Sequence, residues 1–239
     1  LFGGIWTWTR GGGWNGPYIQ NEMWCDLNAW VMAQWALDTT QSEEAIFNRY
    51  AIERLGLEGE NIELFRRLSL LSADAVVRGR NSVQRDMNPW WTRDQGIGWP
   101  DVTGDRQWNL KQKDESIAMW KEIVELAESI SWPDEKTRAH VIGSATYGLR
   151  LYEIYRSLVY LEDAEFRNDK EAMAKWIDAY DSAWALYKRL PEQYSELASL
   201  YTQEFNRHIK DPAQKHVDKL RAELTKTPEA KRSLLWENI

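Results

Sequence analysis

Cysteine is almost absent from this chain: Cys25 stands alone, which excludes an internal disulfide and leaves the redox compartment open. Histidine is nearly as scarce. His140, His208 and His216 lie on separate stretches without the spacing of metal ligands, so no metal site is expected. No apolar run is long enough to span a membrane. No stretch reads as a secretory leader, and a sequence that begins at Leu1 says nothing of location on that account. Positive charge is short too. Against 37 Asp and Glu there are 30 Lys and Arg, dispersed, for a net charge of −7. That balance argues against nucleic acid and against an anionic membrane surface as partners. Gly11-Gly12-Gly13 lacks the lysine and spacing of a phosphate cradle, and no cofactor is expected.

What the chain has instead is tryptophan: 15 Trp against 5 Phe. An indole offers a flat apolar face and one N–H donor. Sugar-handling proteins stack such faces on pyranose rings, and helical cores use them as bulk. Two groups stand beside Gly, Pro and polar residues, Trp6 to Trp24 and Trp90 to Trp108, and these are the better site candidates.

The remainder is helical in pattern. Ile5 to Thr9 alternates large and small residues like a strand, and Arg10 to Tyr18 follows as a glycine-rich loop. Helices are expected at Asn21 to Asp38, from Ser42 to Gly56, and from Glu60 to Gly79. Arg80 to Lys113 reads as a long tryptophan-rich loop. Further helices follow at Asp114 to Ile130, Asp134 to Asn168, Lys170 to Leu190 with Pro191 ending or bending it, Tyr194 to Ile209, and Asp211 to Thr225. About eight helices and one short N-terminal strand–loop segment make a mainly α chain whose body is a helical bundle. The division expected is 1–41 for the strand–loop–helix unit and 42–239 for the helical domain.

Three segments carry a resemblance: Gly4 to Trp14, Asp26-Leu27-Asn28-Ala29-Trp30 with Ala33-Gln34-Trp35, and Trp90-Trp91-Thr92-Arg93-Asp94. Together they resemble the C-terminal part of glycoside hydrolases, of the α-glucuronidase type (glycoside hydrolase family 67 and its relatives). The likeness covers the first ~130 residues better than the rest. It implies that Ile5 to Thr9 is the last strand of a TIM barrel, Asn21 to Asp38 its last helix, and the region from Ser42 a helical C-terminal domain. A whole barrel needs about 250 residues, so the chain would be the tail of a longer protein whose catalytic carboxylates lie elsewhere. The resemblance implies a carbohydrate ligand, an oligosaccharide with uronic acid among the options, and a periplasmic or extracellular parent.

On that reading Arg10 to Tyr18 lines the sugar pocket, because the loop after a barrel strand faces the active site. Arg10 offers a fork that fits a uronate carboxylate, or a salt bridge to Asp26 or Glu22. Trp8 and Trp14 are stacking platforms or core, with Asn15 and Tyr18 beside them. Trp90, Trp91 and Arg93 are sugar contacts in a lid, or loop-holding residues. Glu22 and Asp26 share one helix face as candidate acid and base, the alternative being compensation of the helix dipole. Two other readings stay open. The helical body is an oligomerisation module, as in a homodimer, without sugar binding, or it is a self-sufficient sugar-binding module.

Overall fold

The computed structural model describes residues 23–80, 97–100, 102, 104–194 and 211–225. Seven helices are described: α1 (Met23–Leu37), α2 (Glu43–Glu53), α3 (Glu60–Arg80), α4 (Arg106–Ser129), α5 (Glu135–Phe166), α6 (Lys170–Gln193) and α7 (Gln214–Thr225). The chain is mainly α, with no strand among the described residues. Ile5 to Thr9 and the helix expected at Tyr194 to Ile209 lie outside them. No described helix is long and apolar enough to cross a membrane.

Helix boundaries follow local chemistry. Ser42 caps α2 through its hydroxyl, which accepts from the Ala45 N–H at 3.1 Å. Asp134 and Asp169 cap α5 and α6 by accepting from the N–H groups of Thr137 and Ala172. Pro133 therefore precedes the cap of α5 rather than occupying its first turn. Gly56 takes a φ of +64°, a conformation that glycine enters without strain, and turns the chain out of α2.

Besides α7, which starts at Gln214 rather than Asp211, two boundaries differ from expectation by more than a cap residue or two. The first is the start of α4, at Arg106 rather than Asp114. Gly104 turns the chain with a φ of +82°, and Asp105 caps the helix by accepting from the Trp108 N–H at 3.0 Å. Arg106 then forks onto Glu162 of α5 at 2.5 and 2.8 Å, over the ring of Phe166. The expected loop thus loses its end from Arg106 onward, and Trp108 belongs to a helix. The second is the end of α6, which runs past Pro191 to Gln193. Proline there forfeits one hydrogen bond, and its burial beside Leu190 keeps the last turn helical.

The fold comprises two compact units, and the described residues of each come from three stretches of chain. In the first (within Leu1–Ala73, Met119–Tyr147 and Leu190–Arg207) Ile46, Tyr50, Leu57, Phe65, Leu68, Ile123 and Val141 form the core. Gly143 lets the Tyr194 ring approach α5, where an added Cβ would lie 3.2 Å from it. In the second (within Asp74–Ala118, Gly148–Arg189 and His208–Ile239) the core is Ile154, Leu158, Ile177, Tyr180, Tyr187, Val217 and Leu220. Gly79 sits against the Tyr152 ring so closely that a Cβ would fall 2.3 Å from it.

One helix departs from its expected coverage. Of the apolar residues of α1, only Leu27 is buried. Trp30 and Val31 are half-buried, and Met32, Ala33, Trp35 and Leu37 are exposed, Leu37 at 82%.

Candidate functional site

Of the candidate residues, Trp8, Arg10, Trp14, Asn15, Tyr18, Glu22, Trp90, Trp91 and Arg93 lie outside the described residues, and Asp26 lies within them. The described structure therefore bears on what holds the two tryptophan-rich segments at their ends.

The first segment runs into α1, in the first unit. Asp26, in the first turn of α1, accepts from the Tyr50 hydroxyl at 3.0 Å, and that hydroxyl also reaches the Met23 carbonyl at 3.4 Å. Tyr50 belongs to a run of rings. Trp30 meets it edge-on at 5.8 Å, Phe65 stacks on it at 6.2 Å, and Trp132 stands edge-on to Phe65 at 6.2 Å. The Trp132 N–H closes the run on the Ala127 carbonyl at 2.9 Å. Asp26 thus fastens α1 to α2. At the other end of α1, Arg49 donates to the side-chain oxygens of Gln34 and Gln41 at 2.8 and 2.7 Å. Gln41 in turn donates to the Gln34 carbonyl, and its own carbonyl accepts from Trp35. A cation at the carbonyl end of a helix is favoured by the helix dipole.

The second segment leaves from the end of α3 and returns at residue 97, and both attachments belong to the second unit. On the leaving side Lys113 is 1% exposed, and its Nζ donates to the Arg78 carbonyl at 2.8 Å, one of the last-turn carbonyls that α3 cannot satisfy itself. The ammonium also lies 5.6 Å from the centre of the Tyr155 ring. Burial pushes the Lys113 amine down to about 7. The same burial pushes the Tyr152 hydroxyl up and the Arg80 guanidinium down, although Tyr152 and Tyr155 partly restore the latter. Arg78 itself pairs with Glu115 at 2.5 Å and with Gln112 at 3.1 Å.

On the returning side Ile97 is fully buried, and its carbonyl accepts from the Ala213 N–H at 3.1 Å. Trp99 lies 3.9 Å from the His216 ring, and His216 pairs with Glu165 at 2.8 Å. Just before α7, Asp211 takes the Tyr180 hydroxyl. Desolvation raises the Asp211 carboxyl against that bond, and burial followed by Asp211 raises the Tyr180 hydroxyl.

Among the described residues no group of three or more His, Cys, Asp or Glu side chains could hold a metal. The chemistry these residues perform is anchoring: Asp26, Glu115, Glu165 and Asp211 each already receive a hydroxyl, an imidazole or a guanidinium. Lys113 was missed in the sequence, though a signal exists. It falls on one helical stripe with Leu110, Ile117 and Trp120, where a charged residue is out of place. That stripe becomes visible only once the helix starts before Asp114.

Comparison of the chain with family models, with curated proteins and with solved structures found no match.

Proposed function

We propose that this chain is the C-terminal helical region of a carbohydrate-active glycoside hydrolase of the α-glucuronidase kind. It supplies part of a sugar-pocket wall and a helical body, and it does not hydrolyse glycosides by itself. The observation that carries the reading is α1. This helix is apolar on every side, yet Leu27 is its only buried residue. A helix apolar all round belongs between other elements, and the outer helix of a barrel packs its inner face on the sheet and its flanks on the neighbouring helices. The segment resembling a barrel strand and its loop, Ile5 to Tyr18, immediately precedes it. The Asp26–Tyr50 bond and the ring run behind it give that segment a fixed point of attachment.

In this role Arg10 would fork onto a uronate carboxylate, Trp8 and Trp14 would take the sugar's C–H faces, and Asn15 and Tyr18 would bond hydroxyls. Trp90, Trp91 and Arg93 would add contacts from the second segment. Asp26 is committed to Tyr50, which leaves Glu22 the weaker remaining candidate for acid or base.

The test is titration of the chain with a glucuronic-acid-bearing xylooligosaccharide, followed by tryptophan fluorescence and by calorimetry. A saturable signal near 1 mM is expected, about −4 kcal/mol, weakened in Arg10→Ala and in Trp14→Ala. Absence of saturable binding at tens of millimolar sinks the reading. Release of uronic acid at the ~10 s⁻¹ typical of complete enzymes sinks its second half.

The bare face of α1 also favours a second reading, in which another copy of the chain covers it. Light scattering separates the two. A monodisperse dimer that Trp35→Gln and Leu37→Gln dissociate, with no response to sugar, supports assembly in place of sugar binding.

A further inference from the structure

Within the second unit, α4, α5 and α6 bring together an aromatic and charged cluster that the anchoring of the tryptophan-rich segments does not use. Tyr160 of α5 and Trp176 of α6 stack with ring centres 4.2 Å apart and planes 25° from parallel. Arg156, one turn before Tyr160, holds its guanidinium 5.1 Å from the centre of each ring. Asp114 of α4 sets that guanidinium in place, accepting from Nε at 2.7 Å and Nη2 at 2.6 Å with one oxygen. Its other oxygen accepts the Tyr160 hydroxyl at 2.6 Å. The Lys175 ammonium lies 5.2 Å from the Trp176 ring.

Three features leave this cluster open to a ligand. Both rings are half-buried, so each keeps part of its surface open to water. The Trp176 N–H has no hydrogen-bond partner among the described residues and is not one of the buried unsatisfied groups, so it is available to an acceptor from solvent. The cluster carries two cations, Arg156 and Lys175, against the one carboxylate of Asp114, in a chain whose net charge is −7. No ion pair engages Nη1 of Arg156 among the described residues.

The geometry points to a second carbohydrate subsite here, one that takes an acidic pyranose with its C–H face on Trp176 and its carboxylate on Arg156. An aromatic face with a few fixed polar groups at its edge is what a sugar site requires. A guanidinium already oriented by Asp114 loses little freedom on meeting a second carboxylate. The choice of a sugar rests on the carbohydrate reading proposed above, but the surface is a different one and its residues do not overlap with Arg10 or Trp14. Lys175 is a flexible side chain and swings aside or joins the carboxylate.

The experiment titrates the full chain with the same glucuronic-acid-bearing xylooligosaccharide and, separately, with the neutral xylooligosaccharide and a poly-Glu peptide. The Trp176 indole N–H resonance is assigned by its loss in Trp176→Phe. That resonance is expected to shift saturably with the acidic sugar. Trp176→Ala should weaken this binding about tenfold or more, while Trp176→Phe keeps most of it. Arg156→Gln should remove the preference of acidic over neutral sugar, with circular dichroism confirming an intact fold. An unmoved indole resonance, unchanged binding in both Trp176→Ala and Arg156→Gln, or stronger competition by the peptide than by the sugar overturns the subsite. If Arg10→Ala and Trp14→Ala abolish all sugar binding while Trp176→Ala does nothing, this inference fails and the carbohydrate reading survives. If no sugar binds at any site, both fall.

Discussion

Helices α1 and α6 both carry tryptophan, alanine and long apolar side chains, and they end in opposite conditions. In α6, Met173, Ile177, Tyr180, Trp184, Tyr187 and Leu190 recur at three- and four-residue steps, and all six are buried. Its polar residues fill the remaining turn. In α1 apolar residues lie on all sides, so the sequence selects no inner face, and the helix is held by Leu27, Trp30 and the Asp26–Tyr50 bond. Burial follows from the contrast between the two faces of a helix more than from its total apolar content. A helix without that contrast is covered only as far as its neighbours extend.

The largest test of this contrast is Tyr187→Ala. Tyr187 is fully buried in the α6 stripe, and its loss should cost about 3–5 kcal/mol in urea unfolding, with hydrogen exchange rising throughout α6. A cost no larger than that of an exposed substitution would break the distinction.

The next separates the two helices by pH. With its amine pushed down to about 7, Lys113 binds fewer protons folded than unfolded at any pH between about 7 and its ordinary 10.5. The burial penalty is fully present below pH 7, so stability should rise as pH climbs from about 7 toward 10. Above 10 the raised Tyr152 and Tyr180 hydroxyls reverse the slope, because the unfolded tyrosines ionise first. Lys113→Met should flatten the rise and stabilise the protein at pH 7 by roughly 1–3 kcal/mol. Exchange of α6 amides should follow this profile, since α6 and Lys113 share a unit, and a pH-independent melt between 7 and 10 refutes it.

Tyr50→Phe is smaller. It removes the donor to Asp26 and should cost about 1 kcal/mol, with faster exchange confined to α1 amides. If α6 exchanges faster by the same factor, α1 is not the separately held element described here.

The smallest effect belongs to Leu37→Gln, at the barest position of α1. Stability should change by less than about 0.5 kcal/mol, and binding of a hydrophobic dye to the chain should fall. A large loss of stability would mean that this face is covered in solution.

The same contrast explains how much of the molecule was legible beforehand. The helix class, the cap at Ser42 and the α6 stripe were readable because propensity, capping and periodicity are local. The start of α4 was not. Its cap is Asp105 behind a left-handed Gly104, inside a stretch whose glycines and tryptophans read as loop. The bare face of α1 was not, because apolar residues on every side give no sign of which are covered. At the site, Glu22 and Asp26 were readable as neighbours on one face, but the tyrosine that occupies Asp26 stands 24 positions away. Lys113 was hidden by the same misplaced boundary that concealed its stripe. The Tyr160–Trp176 stack was beyond reach for a related reason: the two rings sit on different helices.

By itself, the sequence determined that this protein is helical and where most helices begin, because those choices are made within a turn or two of chain. It also determined an acidic surface and a surplus of indoles. Tertiary structure alone decided which indoles are sealed and which stay open, that Asp26 serves Tyr50, and that Lys113 closes the end of α3. Those outcomes depend on groups tens of residues apart meeting at hydrogen-bond distance, and no periodicity within one helix encodes such a meeting.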